Sequence, residues 1–144
     1  MAGPRSAPPA KVRPSRVTKR FTLAQANKAL PYVRRVVQDI VAATARITDL
    51  QQQLNELPRA KDQAVAQTEL DRTIQRLAEL SDELAAVGCE LKDPTTGLID
   101  FVARHKGRDV YLCWKLGEAA VDHWHETTTG YAGRQPVASL EEPA

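Results

Sequence analysis

Between residues 98 and 115, apolar and polar side chains alternate in two runs that mirror each other about Lys106-Gly107. A two-residue loop with Gly in second place is a hairpin signal. Folding there sets His105 opposite Arg108 and fixes every pair behind it. Ala103 then faces Val110, Phe101 faces Leu112 and Ile99 faces Trp114, and these six make one apolar side. The other side carries Asp100 opposite Cys113, Val102 opposite Tyr111 and Arg104 opposite Asp109. A one-residue slip would mix the two faces, so the register is strongly specified. The pattern predicts strands over about 98–105 and 108–115.

Upstream the period changes to that of a helix. Val33, Ile40, Ile47 and Leu54 recur every seven residues, with Val36, Ala43, Leu50 and Leu57 at the second seam position. After Pro58, Leu70, Leu77 and Leu84 repeat at the same spacing, with Thr73, Leu80 and Val87 between them. Sustained heptads predict coiled-coil packing, and the short Pro58 link makes the two helices antiparallel neighbours. Thr22 with Gln25 has the form of a capping box. Pro31 removes a backbone donor and disfavours helix in the residue before it. The expected elements are therefore helices over about 22–30, 31–57 and 59–87, with a break near Leu30 and a stop at Gly88.

Matching the seams puts Val33 level with Leu84, Ile40 with Leu77 and Ile47 with Leu70. The same alignment sets Arg35 against Asp82, Arg46 against Asp71 and Glu56 against Lys61. The predicted class is α+β: a long antiparallel two-helix coiled-coil hairpin with a small antiparallel β-hairpin packed near its open end. Cys89 to Lys92 fits a short extra strand, residues 93–97 are turn chemistry, and residues 118–122 fit a short helical turn. His123-Trp124-His125-Glu126 is compatible with helix or strand, and residues 131–136 read as an irregular closing segment.

Composition changes this picture at the ends. Residues 1–20 hold four of the nine prolines and six basic residues, with no acid. They are expected to form a disordered basic tail, able at most to touch nucleic acid or an acidic partner weakly. The remaining chain has fourteen basic and eighteen acidic residues, which argues against a nucleic-acid-binding face. A single domain is expected over 21–137, followed by a frayed end at 138–144. No apolar run reaches the roughly 18–20 residues of a membrane span, and the N-terminal residues lack the apolar core of a secretory signal. Cys89 and Cys113 form no CxxC pair. Free thiols in a reducing cytoplasm are expected.

A series of motifs resembles a known family: Phe21-Thr22-Leu23, Ala29-Leu30-Pro31, Glu90-Leu91-Lys92-Asp93, Gly97-Leu98-Ile99-Asp100-Phe101, Val110-Tyr111-Leu112-Cys113-Trp114, Leu116-Gly117-Glu118, Trp124-His125-Glu126 and Gly133-Arg134. In this order they resemble the domain of unknown function 2203 family over about residues 21–137. The resemblance implies a prokaryotic family and a fold. It supplies no activity and no catalytic or binding residues to carry over.

Two functional classes remain. Val37, Val41, Val65 and Ile74 extend the apolar surface beyond one seam, and pairing two copies into a homodimer would bury them. That describes a non-enzymatic, self-associating interaction or scaffold protein. The alternative is a small metal-binding protein or metalloenzyme. Its metal ligands would come from His123, His125 and Glu126, with Asp100, Tyr111, Cys113, Glu118 and Arg134 as the wider candidate site. Imidazole, carboxylate and thiolate suit zinc or iron. On a helix, His123 and His125 point apart; on a strand they share a face. A Cys113–His125 nucleophile is the further possibility; it needs a thiol pKa lowered by a helix N-terminus, a histidine or a basic neighbour, and Lys115 is on the same strand face. Residues 130–134, with two glycines and Arg134, read as a plain turn that has the elements of an anion cradle.

Overall fold

The computed structural model describes residues 19–143; the predicted disordered tail lies almost entirely outside them. Helix α1 spans Leu23–Glu56 and α2 spans Ala60–Val87. Five strands follow: β1 Cys89–Asp93, β2 Leu98–His105, β3 Arg108–Lys115, β4 His123–Glu126 and β5 Gln135–Pro136. They form an antiparallel sheet in the order β1-β2-β3-β4-β5. No described helix is long and apolar enough to cross a membrane.

The β2–β3 register is the predicted one at every position from His105–Arg108 to Ile99–Trp114. Lys106 takes a positive φ of 51° and Gly107 one of 80°, as a two-residue turn of matching twist requires. The small hairpin foreseen from the sequence is thus the centre of a larger sheet. Its apolar side packs on the open end of the helical hairpin. Ile99, Phe101, Ala103, Val110, Leu112, Trp114 and Trp124 share one core with Leu30, Val33, Val36, Val37, Ile40, Leu80 and Leu84.

The helices depart from expectation at Pro31. Helix α1 runs through it without a break. Losing one hydrogen bond to an internal proline costs about 3 kcal/mol. Leu30, Val33, Val36 and Val37 are all buried on the same stripe, and each fully buried side chain of this size contributes about 1.5–3 kcal/mol. Tertiary packing therefore holds the helix continuous. Thr22 and Gln25 form the expected capping box, and Gly88 closes α2 in the left-handed conformation.

The foreseen charge ladder is different in detail. Arg46 bonds Glu69 instead of Asp71, and Tyr32 reaches Glu83. Among the described residues Arg35 makes no ion pair with Asp82, nor Glu56 with Lys61. Such exposed pairs are worth about 0–1 kcal/mol, too little to set alignment against apolar packing. Ile47 and Leu70 belong to a second small cluster with Leu50, Leu54, Leu57 and Ala66 toward the closed end of the hairpin.

Two surfaces taken as available for a partner are covered by the chain itself. Val37 is fully buried and Val41 packs against the main core. The turn between β1 and β2 lies on both: a Cβ at Gly97, whose φ is +78°, would come within 2.9 Å of Val37 and 3.1 Å of Val41. Val65 and Ile74 remain exposed.

Near the C-terminal end, residues 140–142 contact the rest of the chain. Leu140 packs on the core, the Lys106 amide donates to the Glu141 carbonyl, and the Glu141 amide donates to His105 Nδ1. Glu142 accepts from the Leu23 amide at the start of α1, where a carboxylate complements the helix dipole.

Candidate metal centre

Residues 123–126 form a strand, β4, paired directly with β3. Tyr111 lies opposite His125, and Cys113 opposite His123. Because β2–β3 pairs Asp100 with Cys113, alternation brings Asp100, Cys113 and His125 to one face of three adjacent strands. That face is turned away from the helices. All three residues are buried, and one ligand atom from each lies within 4.8 Å of the others.

Hydrogen bonding fixes the imidazole. His125 Nδ1 is 2.7 Å from the Glu126 carbonyl oxygen, an acceptor only, so Nδ1 carries a proton. Nε2 then faces both oxygens of Asp100, at 3.2 and 3.1 Å. A lone pair aimed at a carboxylate is repelled unless a cation stands between them, either a proton or a metal ion. A ring N–H held by a backbone carbonyl, with the other nitrogen presented to a carboxylate and a thiol, is the usual outer arrangement of a metal-bound histidine.

The electrostatics follow from burial. Desolvation pushes the Asp100 carboxyl above its ordinary range, against the opposing pull of His125, Lys92 and Cys113. Burial, with Asp100 beside it, drives the Cys113 thiol up to about 12, while Arg134 acts the other way. The thiol is therefore protonated near neutrality unless a cation displaces its proton. Its hydrogen-bonding neighbour is Asp100, while His125 is engaged by the Glu126 carbonyl and by Asp100. The described hydrogen bonds therefore do not pair Cys113 with His125.

The remaining candidates separate into a rim and an outlier. Tyr111 donates its hydroxyl to Glu90, and Lys92 lies 4.5 Å from the Tyr111 ring centre. Burial and then Glu90 raise the Tyr111 pKa. Glu118 accepts the Lys115 amide on one oxygen and Arg134 Nη2 on the other. His123 shares the face of His125, but Asp122 and Arg134 both engage its Nδ1. Glu126 alternates to the opposite side and pairs with Arg108, which holds its carboxyl below the usual range. The foreseen set His123, His125 and Glu126 is thus dispersed, and Asp100 and Cys113 stand with His125 in its place.

Glu90 and Lys92 were missed by sequence reasoning. Their signal was available in the short strand at 89–92, whose pairing of Glu90 with Asp100 puts both on the site's face.

The comparisons with known proteins give a family and no activity. Residues 19–137 match the model of an uncharacterized conserved protein family, DUF2203, and the chain belongs to that family. No curated protein and no solved structure matches it.

Proposed function

We propose that this DUF2203 member is a divalent-metal-binding protein whose ligands are Asp100, Cys113 and His125. The observation that carries the reading is the convergence of three buried donors of three types within 4.8 Å, with His125 Nε2 aimed inward by its Nδ1 bond. A carboxylate, a thiolate and a neutral imidazole balance a doubly charged ion, so the buried site becomes neutral when filled. Mixed oxygen, sulfur and nitrogen donors suit zinc or iron. Three protein ligands leave one position open, as in catalytic zinc sites. A reducing compartment, the cytoplasm, keeps the Cys113 thiol available.

Metal analysis of protein purified without a histidine tag tests this. One ion per chain is expected, with a cobalt-thiolate absorption band after cobalt loading that disappears in Cys113→Ser. Sub-stoichiometric metal in both the wild-type chain and His125→Ala would leave only a hydrogen-bonded His125–Asp100 pair and end the proposal.

Self-association is a second reading, favoured by the closed end of the helical hairpin. Its core is only Leu50, Ala66 and Leu70, with Ile47, Leu54 and Leu57 partly buried, and Val65 is 65% exposed. A second copy laid along it would cover these side chains. Light scattering distinguishes the cases: a dimer that Val65→Glu converts to monomer supports the reading, and a monomeric wild-type chain ends it.

A further inference from the structure

Arg134 holds a charge that the fold does not finish satisfying. Its side chain is 9% exposed. Nη2 is committed to Glu118 and meets His123, while Nη1 is buried with no hydrogen-bond partner. Glu118 is bonded to the Lys115 amide through Oε1 and to Arg134 Nη2 through Oε2, and neither oxygen is bonded to Nη1. A buried donor without an acceptor is costly, more so when charged, and such exceptions call for a water, an ion or a ligand.

The surroundings indicate what kind. The guanidinium carbon lies 4.6 Å from the centre of the Tyr131 ring, and Lys115 Nζ lies 5.4 Å from the same ring. Lys115 Nζ makes no ion pair or hydrogen bond among the described residues. Tyr131 is 46% exposed, so this ring sits where the buried guanidinium meets solvent. Glu118 is the carboxylate bonded to Arg134, Asp122 lies on His123 beside it, and Asp93 is the carboxylate that feels the Lys115 charge. Beyond Arg134 lies Cys113, whose electrostatic coupling to the guanidinium is felt by both groups.

We infer that Lys115, Tyr131 and Arg134 form a binding mouth for a small oxyanion at the edge of the Asp100–Cys113–His125 cluster. Arg134 Nη1 donates to one oxygen of the ligand, the Lys115 ammonium neutralises the outer charge, and the Tyr131 ring flanks it. Carboxylates and phosphates both offer this chemistry. The mouth is a property of the chain whether or not a metal is present. With one, the same residues would hold an anionic ligand at the edge of the metal-ligand cluster.

Calorimetric titration with acetate and with inorganic phosphate tests the inference, each on metal-free and on cobalt-loaded protein. At least one ion should bind, showing which oxygen anion fits. Arg134→Gln should weaken it about tenfold and Lys115→Gln about threefold, since charge-assisted bonds to a buried arginine outweigh those to an ammonium nearer solvent. Lys115 is only half-buried, so its variant keeps the test alive if Arg134→Gln does not fold. Equal affinity in wild type and variants, or no binding of either ion at tens of millimolar, overturns the mouth and leaves a water as the partner of Nη1. Anion binding lost in Arg134→Gln from a chain that takes up no cobalt would instead end the metal reading and keep this one.

Discussion

The side of the sheet that meets the helices and the side that faces away both exclude water, but they do so with different materials. The first buries Ile99, Phe101, Leu112, Trp114 and Trp124 against two helices, through contacts that are individually weak and not directional. The second buries Asp100, Cys113 and His125 under a rim that includes Tyr111 and Arg134, where each polar atom needs a partner in the right place. An apolar face of this size tolerates exchange among side chains of similar volume. A small polar cluster does not, because one deletion strands its neighbours. The same three central strands therefore carry the apolar core on one side and the candidate site on the other.

Breaking the apolar side should have the largest effect on stability. Trp114→Ala removes the largest fully buried side chain and should cost about 3–5 kcal/mol in urea unfolding. At Gly97, alanine has to enter a φ of +78° and press on Leu116, at 2.7 Å, and on Val37. A loss of about 1–3 kcal/mol is expected, measured the same way.

The polar side should respond in a different observable. His125→Ala should abolish stoichiometric metal uptake while retaining the fold, read by circular dichroism and metal analysis together. A variant that loses both at once would mean that the two faces are not separable.

Alkaline pH acts on both sides through the thiols. Burial raises Cys89 and Cys113 from 9.0 to about 12, so the folded chain holds these protons more tightly than the unfolded one. Their contribution to stability is complete below about pH 9 and is lost as pH rises toward 12. The unfolding midpoint should fall across that window, and less steeply in Cys89→Ala. The smallest effect belongs to the helical hairpin: Arg46→Gln should change stability by less than about 1 kcal/mol, since its pair with Glu69 is solvent-exposed.

Which parts were legible in the sequence follows from the range of the forces involved. The β2–β3 register could be read because alternation and a Lys-Gly turn are local signals, and both faces depend on them. The capping box at Thr22 and the stop at Gly88 are local in the same sense. The continuity of α1 through Pro31 was not legible, because the proline's cost is local and its compensation comes from strands about seventy residues away. Nor was the dispersal of Glu126, since helix and strand were equally compatible with His123-Trp124-His125-Glu126 until β3 supplied a partner strand.

By itself, then, the sequence determined the hairpin, its two faces and the helical seam, because each is written in residue spacing. Tertiary structure decided how those pieces share a surface. It laid the β1–β2 turn over Val37 and Val41, tied Glu141 and Glu142 to His105 and to the start of α1, and brought His125 onto Asp100 and Cys113. Those contacts join residues far apart in the chain, and the free energy that selects them comes from burial and from pairing polar groups away from water. Neither is present until the strands and helices have come together.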